Sequence, residues 1–569
     1  MSTDSPSRST TALLVGRIVL LALAAWIVLG FGEHLRLWGR AGFVQSMLSA
    51  AAGMLAVIGA THVGRGRRGS RAVVVGLVVV AALALNVQAG KRLSRIGTPA
   101  QLGNWGIYHY YLGSKYFEEL QYTELYRETL KADAEGPSKF DVVPKIRNLT
   151  TYRTEKSEDF RHADRHERWS DARWEEFRQD VWYIGGLRIA KDWNKILGDR
   201  GYNPPPSYTL IAGTINNVFS VRSAFGQTVL CLLDLLVILL AFVASVYAYG
   251  LKRSLLVLIG YLLWFGNWGR IYGQFWINDW FAACWAAVAF YRMERFRWAG
   301  ALAAYATMMR VFPGVLFVGP VVAALPSILA TRRVPRSLVR LLGTAALTGA
   351  LLFSVSALRY GPQAWMDFGG NITTHSEHHE GGLRRVGLKH LTALDWQDGL
   401  RTSARKVDVK KNMRDNAGLH RAAMVVFLVL LLIAMARAEP HDAMVIGLGI
   451  MFVATVASRY YGAVFALWLL LRAQRARAPD REAALLGDFP ALRAPRWVAL
   501  DVGFFAILVL FYAAPIASKY PRIEYMWGNV ATLAFLCGLL ALTAFKPPGQ
   551  AVEPESSAGP GPEPDGAAG

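Results

Sequence analysis

Charge is scarce in this chain and cysteine is nearly absent. Only 18% of the 569 residues are charged while 53% are hydrophobic, more apolar material than one globular core consumes. The three cysteines, Cys231, Cys284 and Cys537, all fall in apolar runs without metal-ligand spacing, which excludes a disulfide framework. Acidic residues are outnumbered, leaving a formal net charge of +21. That surplus would suit a nucleic-acid binder, yet no basic face interleaved with aromatics exists. The largest polar segment, Gln101 to Gln227, is neutral, with 18 Lys/Arg against 18 Asp/Glu. Nucleic acid is therefore not an expected partner. No internal repeat is visible, so an inverted-repeat transporter gains no support. No small-residue cleavage site follows the first apolar run, which Arg17 interrupts; a retained span is expected there, not a cleaved signal peptide.

What the chain does have is uncharged runs of near-membrane length, such as Val73 to Leu85 and Ala423 to Ala436. A hydrocarbon slab takes roughly 20 helical residues, and continuous apolar runs mean helices, not barrel strands. The prediction is an all-α polytopic membrane protein with about 14 transmembrane or membrane-embedded helices (roughly 11–14). They start near residues 11, 43, 72, 226, 253, 275, 297, 313, 339, 421, 442, 460, 496 and 525. Much of the surplus arginine sits in short linkers: around Arg65 to Arg71, Lys252 and Arg253, Arg292 to Arg297, Arg332 to Arg340, and Arg472 to Arg481. Such linkers mark cytoplasmic loops. Both termini are then cytoplasmic, and two large loops, 90–225 and 358–420, lie on the other side. This alternation requires 297–328 to form a hairpin turning at Phe312-Pro313, where proline breaks the helix. The chain divides into an N-terminal segment with two extra helices (1–71), a membrane core (72–545) and a disordered tail (546–569).

The first loop carries Trp174, Phe177, Val181, Ile184 and Ile189 among charges, an apolar stripe at helical spacing. It is expected to bury against the membrane-surface end of the bundle. Earlier in the loop, Trp105 to Phe117 includes His109, Tyr110 and Tyr111, followed by Leu125-Tyr126 and then Tyr202-Asn203-Pro204-Pro205-Pro206. Read alone, aromatics at a membrane exit form an interfacial belt.

Their order resembles the GT-C glycosyltransferases. It is most similar to the polyprenyl-phosphate-mannose-dependent group related to bacterial α-1,2-mannosyltransferases (glycosyltransferase family 87-like). Gly273-Gln274 with Asn278, and Ala299-Gly300 leading to Arg310-Val311-Phe312-Pro313, add to the likeness, which spans about residues 72–475. The resemblance implies a GT-C-like bundle in the inner (cytoplasmic) membrane of a bacterium. It further implies a cell-envelope hexosyltransferase that moves a sugar, such as mannose, from a polyprenyl-phosphate donor to a lipid or glycan acceptor at the outer face. Partners are then membrane lipids, the lipid-linked sugar and that acceptor, with no cofactor. The family's base is an acid just ahead of the tyrosine pair; here Asn104-Trp105-Gly106-Ile107 holds none.

The chemistry needs a base for the acceptor hydroxyl and cations for the departing phosphate. Glu118 and Glu119 lie just downstream of the tyrosines, and Asp279 opens a span, as a helix cap or a site acid. Asp234, deep in a span, serves a site or ties helices together. Arg310 beside the proline break is the expected phosphate clamp, or else a structural partner of Asp279 or Asp234. With it, His109, Tyr110, Tyr111, His375, Arg384 and Arg385 are candidate substrate-binding residues. The run His375-Ser376-Glu377-His378-His379-Glu380 lacks the helical His-Glu-x-x-His arrangement, so a divalent metal is not expected. Two other readings stay open: a lipid or glycan transporter or flippase, and an inactive GT-C-like subunit.

Overall fold

The computed structural model describes residues 41–60, 67–187, 190–265, 267, 270–379, 384–393, 406–472, 495–517 and 523–544. Two apolar helices open it, α1 (Ala41–Ala60) and α2 (Arg67–Leu85). A π-helical turn, Asn86–Gly90, extends α2, and its Gln88 side chain donates to the Leu262 carbonyl at 2.6 Å.

The first polar region folds on itself. It holds a π-helix, Ile107–Leu112, then α3 (Leu125–Ala134), an antiparallel ribbon of β1 (Lys145–Arg147) and β2 (Thr154–Lys156), α4 (Asp171–Gly185), α5 (Ala190–Ile196) and α6 (Pro206–Val218). The Ser170 hydroxyl accepts the Arg173 N–H and starts α4. The predicted stripe is buried, with Trp174, Phe177, Val181 and Ile184 all inside; Ile189 lies outside the described residues. Its partners are α3 and the Ile107–Leu112 turn, so the expectation of burial on the end of the bundle is corrected. The stripe builds a core belonging to the loop. At its centre the fully buried Asp180 carboxylate accepts from Lys115 Nζ (2.8 Å), Tyr116 (2.8 Å) and Tyr111 (3.1 Å) and pairs with Arg222 (3.0 Å).

The chain then forms α7 (Ala224–Tyr249), α8 (Leu251–Leu263), α9 (Asp279–Arg292), α10 (Phe296–Met309), a 3-10 turn at Phe312–Phe317, α11 (Val318–Thr331), α12 (Arg336–Tyr360) and α13 (Gln363–His379). After β3 (Arg385–Val386) come α14 (Ala417–Ala436), α15 (Pro440–Ile446), α16 (Gly449–Ala454), β4 (Ala457–Ser458), a 3-10 helix at Arg459–Leu470, α17 (Pro495–Ala517) and α18 (Ile523–Thr543). Among the described residues seven helices are long and apolar enough to cross a membrane: α1, α2, α7, the Phe312–Thr331 segment, α12, α14 and α18. The architecture is all-α with two short ribbons and fits an integral membrane protein. Every expected start has a helix near it except the first, near residue 11, which lies outside the described residues, as does the tail from 546. Several are short: α8, α9 and α10 have 13, 14 and 14 residues, and the runs starting near 442 and 460 become α15, α16 and the 3-10 helix.

Chain direction explains why the break at Pro313 matters. The Ser207 hydroxyl donates to the carbonyl of Met308 at the end of α10. The Tyr360 ring, at the end of α12, meets Phe117 edge-on at 5.2 Å. Both helices thus finish against the first loop, and α11, which joins them in sequence, packs against α14 and α15. At the α10–α12 crossing a Cβ on Gly300 would lie 2.1 Å from the Leu341 carbonyl oxygen, so only glycine permits that approach. The second polar region joins the first: Asn371 Nδ2 donates to Asn203 Oδ1 at 2.8 Å, and the Tyr152 and His378 rings stack at 4.9 Å. Both large loops share one end of the bundle. At the far end of α9, Arg292 meets His441 and Asp442 pairs with Arg472, while Arg253 holds both Asp501 oxygens at 2.9 and 2.8 Å.

Candidate functional site

Arg310 occupies the break between α10 and the Phe312–Phe317 turn, with extended backbone at φ −151°. Rings meeting edge to face hold that break in place. Trp280, Phe312 and Tyr461 form a triangle with centroid separations of 4.9, 4.6 and 5.7 Å. Val311 points outward, 63% exposed, whereas Arg310 points in and is buried. Its guanidinium lies over two tyrosine rings, Tyr208 at 4.8 Å and Tyr110 at 5.7 Å, and donates to the Met309 carbonyl at 3.0 Å. Among the described residues it forms no ion pair. Asp279 lies within its electrostatic reach but accepts from Tyr305 at 2.9 Å, and its second oxygen has no hydrogen-bond partner there. The buried Tyr208 hydroxyl beside Arg310 also has none. Buried polar atoms are rarely left so, and three groups converging on one point suit a polar ligand.

Further groups face the same space from distant parts of the chain. The Arg270 guanidinium sits 4.1 Å from the Tyr460 ring centroid, and the Tyr460 and Tyr461 rings touch at 4.3 Å. Tyr110 is within electrostatic reach of Tyr460, Arg310, Arg270 and Asp199. Burial, then Tyr460, pushes its hydroxyl up against the lowering effect of Arg310 and Arg270. Asp199 lies in the turn between α5 and α6, fixed by Arg147 donating to the Gly198 carbonyl (3.0 Å) and the Gly201 N–H donating to Tyr126 (2.9 Å). Half-buried, its carboxylate makes no side-chain hydrogen bond or ion pair among the described residues, although Arg200 and Arg385 both feel its charge. Arg385 is buried, its guanidinium bonded to Ser458 Oγ at 2.6 Å. Burial first, then Arg200, lowers it to about 10.

The predicted residues separate into three sets. Tyr110, Arg310 and Asp279 converge, while Arg385 lies against Ser458 with His375 within its reach. Burial and then the charges of Arg200, Arg385 and His378 lower His375 to about 3, so it is neutral. His109 and Tyr111 are tied up as supports. His109 bonds the Trp105 carbonyl through Nδ1 (2.9 Å) and the Tyr126 hydroxyl through Nε2 (2.8 Å), with burial lowering its basicity. Tyr111 belongs to the Asp180 knot. The last set stands apart. Glu118 is exposed and pairs with Arg359 at 2.7 Å, while Glu119 is buried against Arg173 at 2.8 Å. Neither acts on Arg310 or Tyr110. Arg384 is exposed.

Two open questions from the sequence are settled by geometry. Asp279 is the first residue of α9 and does not cap it through its side chain. Asp234 ties two elements together, accepting the Ile277 and Asn278 N–H groups at 3.0 and 2.9 Å. The Gly273-Gln274 turn presses on the first loop: Gln274 Oε1 accepts the Gly106 N–H at 3.0 Å, and a Cβ on Gly106 would sit 2.1 Å from the Gln274 carbonyl. Among the described residues no His, Cys, Asp or Glu cluster could hold a metal ion. A separate surface cavity of about 880 Å³, between Lys131, Arg161, Trp174 and Arg178, includes none of the candidate residues. No protein-family model, no curated protein and no solved structure matches the chain.

Proposed function

We propose that the chain is a membrane glycosyltransferase of GT-C type, with about 14 membrane helices in a bacterial cytoplasmic membrane. Both termini are then in the cytoplasm and both large loops outside. It would transfer a hexose, such as mannose, from a polyprenyl-phosphate carrier to a lipid or glycan acceptor. The observation that carries this reading is Arg310, a buried guanidinium without a carboxylate partner among the described residues, held at a helix break over Tyr110, on which the charge of Asp199 also acts. The acceptor hydroxyl oxygen attacks the anomeric carbon, and Asp199 takes its proton. The bond from that carbon to the phosphate oxygen breaks, and its electron pair leaves with the phosphate, whose charge Arg310 stabilises. Tyr208 and Asp279 offer polar contacts to the bound sugar.

The test is transfer itself. Membranes containing the full chain, given a polyprenyl-phosphate-linked hexose and a total lipid acceptor fraction, should form a labelled product that control membranes lack. No transfer from any hexose donor, with the donor still bound, would favour an inactive binding subunit.

A further inference from the structure

The positive charge facing this space exceeds what one phosphate needs. Arg310, Arg270, Arg385 and Arg200 are opposed by two carboxylates, Asp199 and Asp279. The cations do not form one clamp. Arg310 sits over Tyr208 and Tyr110, whereas Arg270 sits over Tyr460 and Arg385 is bonded to Ser458 just ahead of it. The Tyr460–Tyr461 pair is common to the two positions, since both tyrosines act on Arg385 and both are within reach of Arg310.

Arg385 is built into its place. β3 and β4 pair it with Ser458. Asn529 on α18 holds the segment from behind, its Nδ2 donating to the Arg385 carbonyl and its Oδ1 accepting the Gly387 N–H, both at 2.9 Å. Gly387, at φ +152°, passes so close to the Thr455 carbonyl that a Cβ would sit 2.2 Å from it. A buried guanidinium fixed this firmly and given only a neutral serine partner among the described residues is costly unless an anion arrives. Arginine forks suit phosphoryl oxygens.

We propose that Arg385 and Arg270 form a second phosphoryl site, separate from the one at Arg310, so that the loaded enzyme holds two phosphoryl groups at once. The second belongs either to the donor, as a diphosphate linkage, or to a phosphorylated acceptor. This rests on the reading of Arg310 as the donor-phosphate site.

Binding to the full chain in detergent separates these cases, with farnesyl phosphate, farnesyl diphosphate and short-chain phosphatidic acid as probes. If the donor carries both groups, the diphosphate binds at least tenfold more tightly than the monophosphate. Arg385→Gln and Arg270→Gln then erase that difference and leave monophosphate binding unchanged. If the acceptor carries the second group, the two farnesyl probes bind alike. Phosphatidic acid then binds alongside farnesyl phosphate, and Arg385→Gln abolishes its binding. Arg385→Lys, which keeps the charge, should restore part of either effect in protein of unchanged melting temperature. Equal binding of every probe to wild type and to both Gln variants overturns the proposal. Failure of Arg310→Gln to weaken farnesyl phosphate would instead overturn the donor site itself.

Discussion

The guanidinium of Arg310 lies 4.8 Å from the ring centroid of Tyr208, over its face, so a helix break and a loop helix that are about a hundred residues apart meet in one cation–aromatic contact. Lysine could supply the charge there but not the flat, stacking surface. Arg310→Lys should therefore retain the fold and lose donor affinity by roughly two- to thirtyfold, in line with about 0.5–2 kcal/mol for such contacts. Titration with farnesyl phosphate measures it, and unchanged affinity would remove Tyr208 from the site.

Asp199→Asn should lower turnover by roughly 10²–10⁴-fold, the usual worth of a positioned base, with donor affinity intact. Glu119→Gln supplies the contrast. Its partner Arg173 is structural, so the variant should melt at a lower temperature yet keep turnover per folded molecule. The reverse pattern would return the base to the stretch after the tyrosine pair.

Phe177→Ala empties the middle of the first loop's core, where the ring touches Trp169, Trp174 and Tyr116 with centroids 4.8, 5.8 and 5.0 Å away. The expected cost is about 3–5 kcal/mol. Limited proteolysis should then cut within 120–187 before any helix of the bundle is touched. Resistance equal to wild type would mean that the loop's core is not an independent unit.

His375 makes the second loop sensitive to acid. Its folded value is held near 3, far below the 6.5 of an ordinary histidine, by burial and by the cations around it. The unfolded chain therefore binds the proton more readily. Stability from this residue is complete above about pH 6.5 and is lost progressively as the pH falls towards 3. Protection of Gln363–His379 against hydrogen exchange, relative to the intrinsic rate at each pH, should fall between about pH 7 and 5, and His375→Gln should flatten that slope. An equal slope in the variant would assign the effect elsewhere.

Asp501→Asn leaves Arg253 buried at 3% exposure without its carboxylate, a change that typically costs about 3–5 kcal/mol. The melting temperature in detergent should drop clearly, and the double variant Arg253→Gln with Asp501→Asn should regain part of the loss. If the double variant is no better than the single one, the two residues do not act as a pair.

Helices were legible because uncharged runs have a single solution in lipid, and the turn at Pro313 because proline cannot continue a helix. Arg310 was legible for the same reason. Asp199, Arg270 and Tyr460 were not. They come from three separate segments, and each reads alone as an ordinary loop charge or interfacial ring. Two paired residues, Arg385 and Val386 with Ser458 and Ala457, bring the second loop to the tyrosines, and a contact so short leaves no periodicity to read. The closeness of Glu118 and Glu119 to the tyrosine pair is visible in sequence, whereas the arginines that engage them lie on α12 and α4.

Asn529 has a consequence for how the molecule is made. Its amide is what holds the Arg385 backbone, and it belongs to α18, the last helix described here. A ribosome will have delivered Arg310, Tyr208 and Asp199 to the membrane long before that amide exists. A nascent chain stalled before α18 would thus lack the amide that holds the Arg385 backbone. On the proposed reading, the second phosphoryl site would be completed only once α18 is inserted.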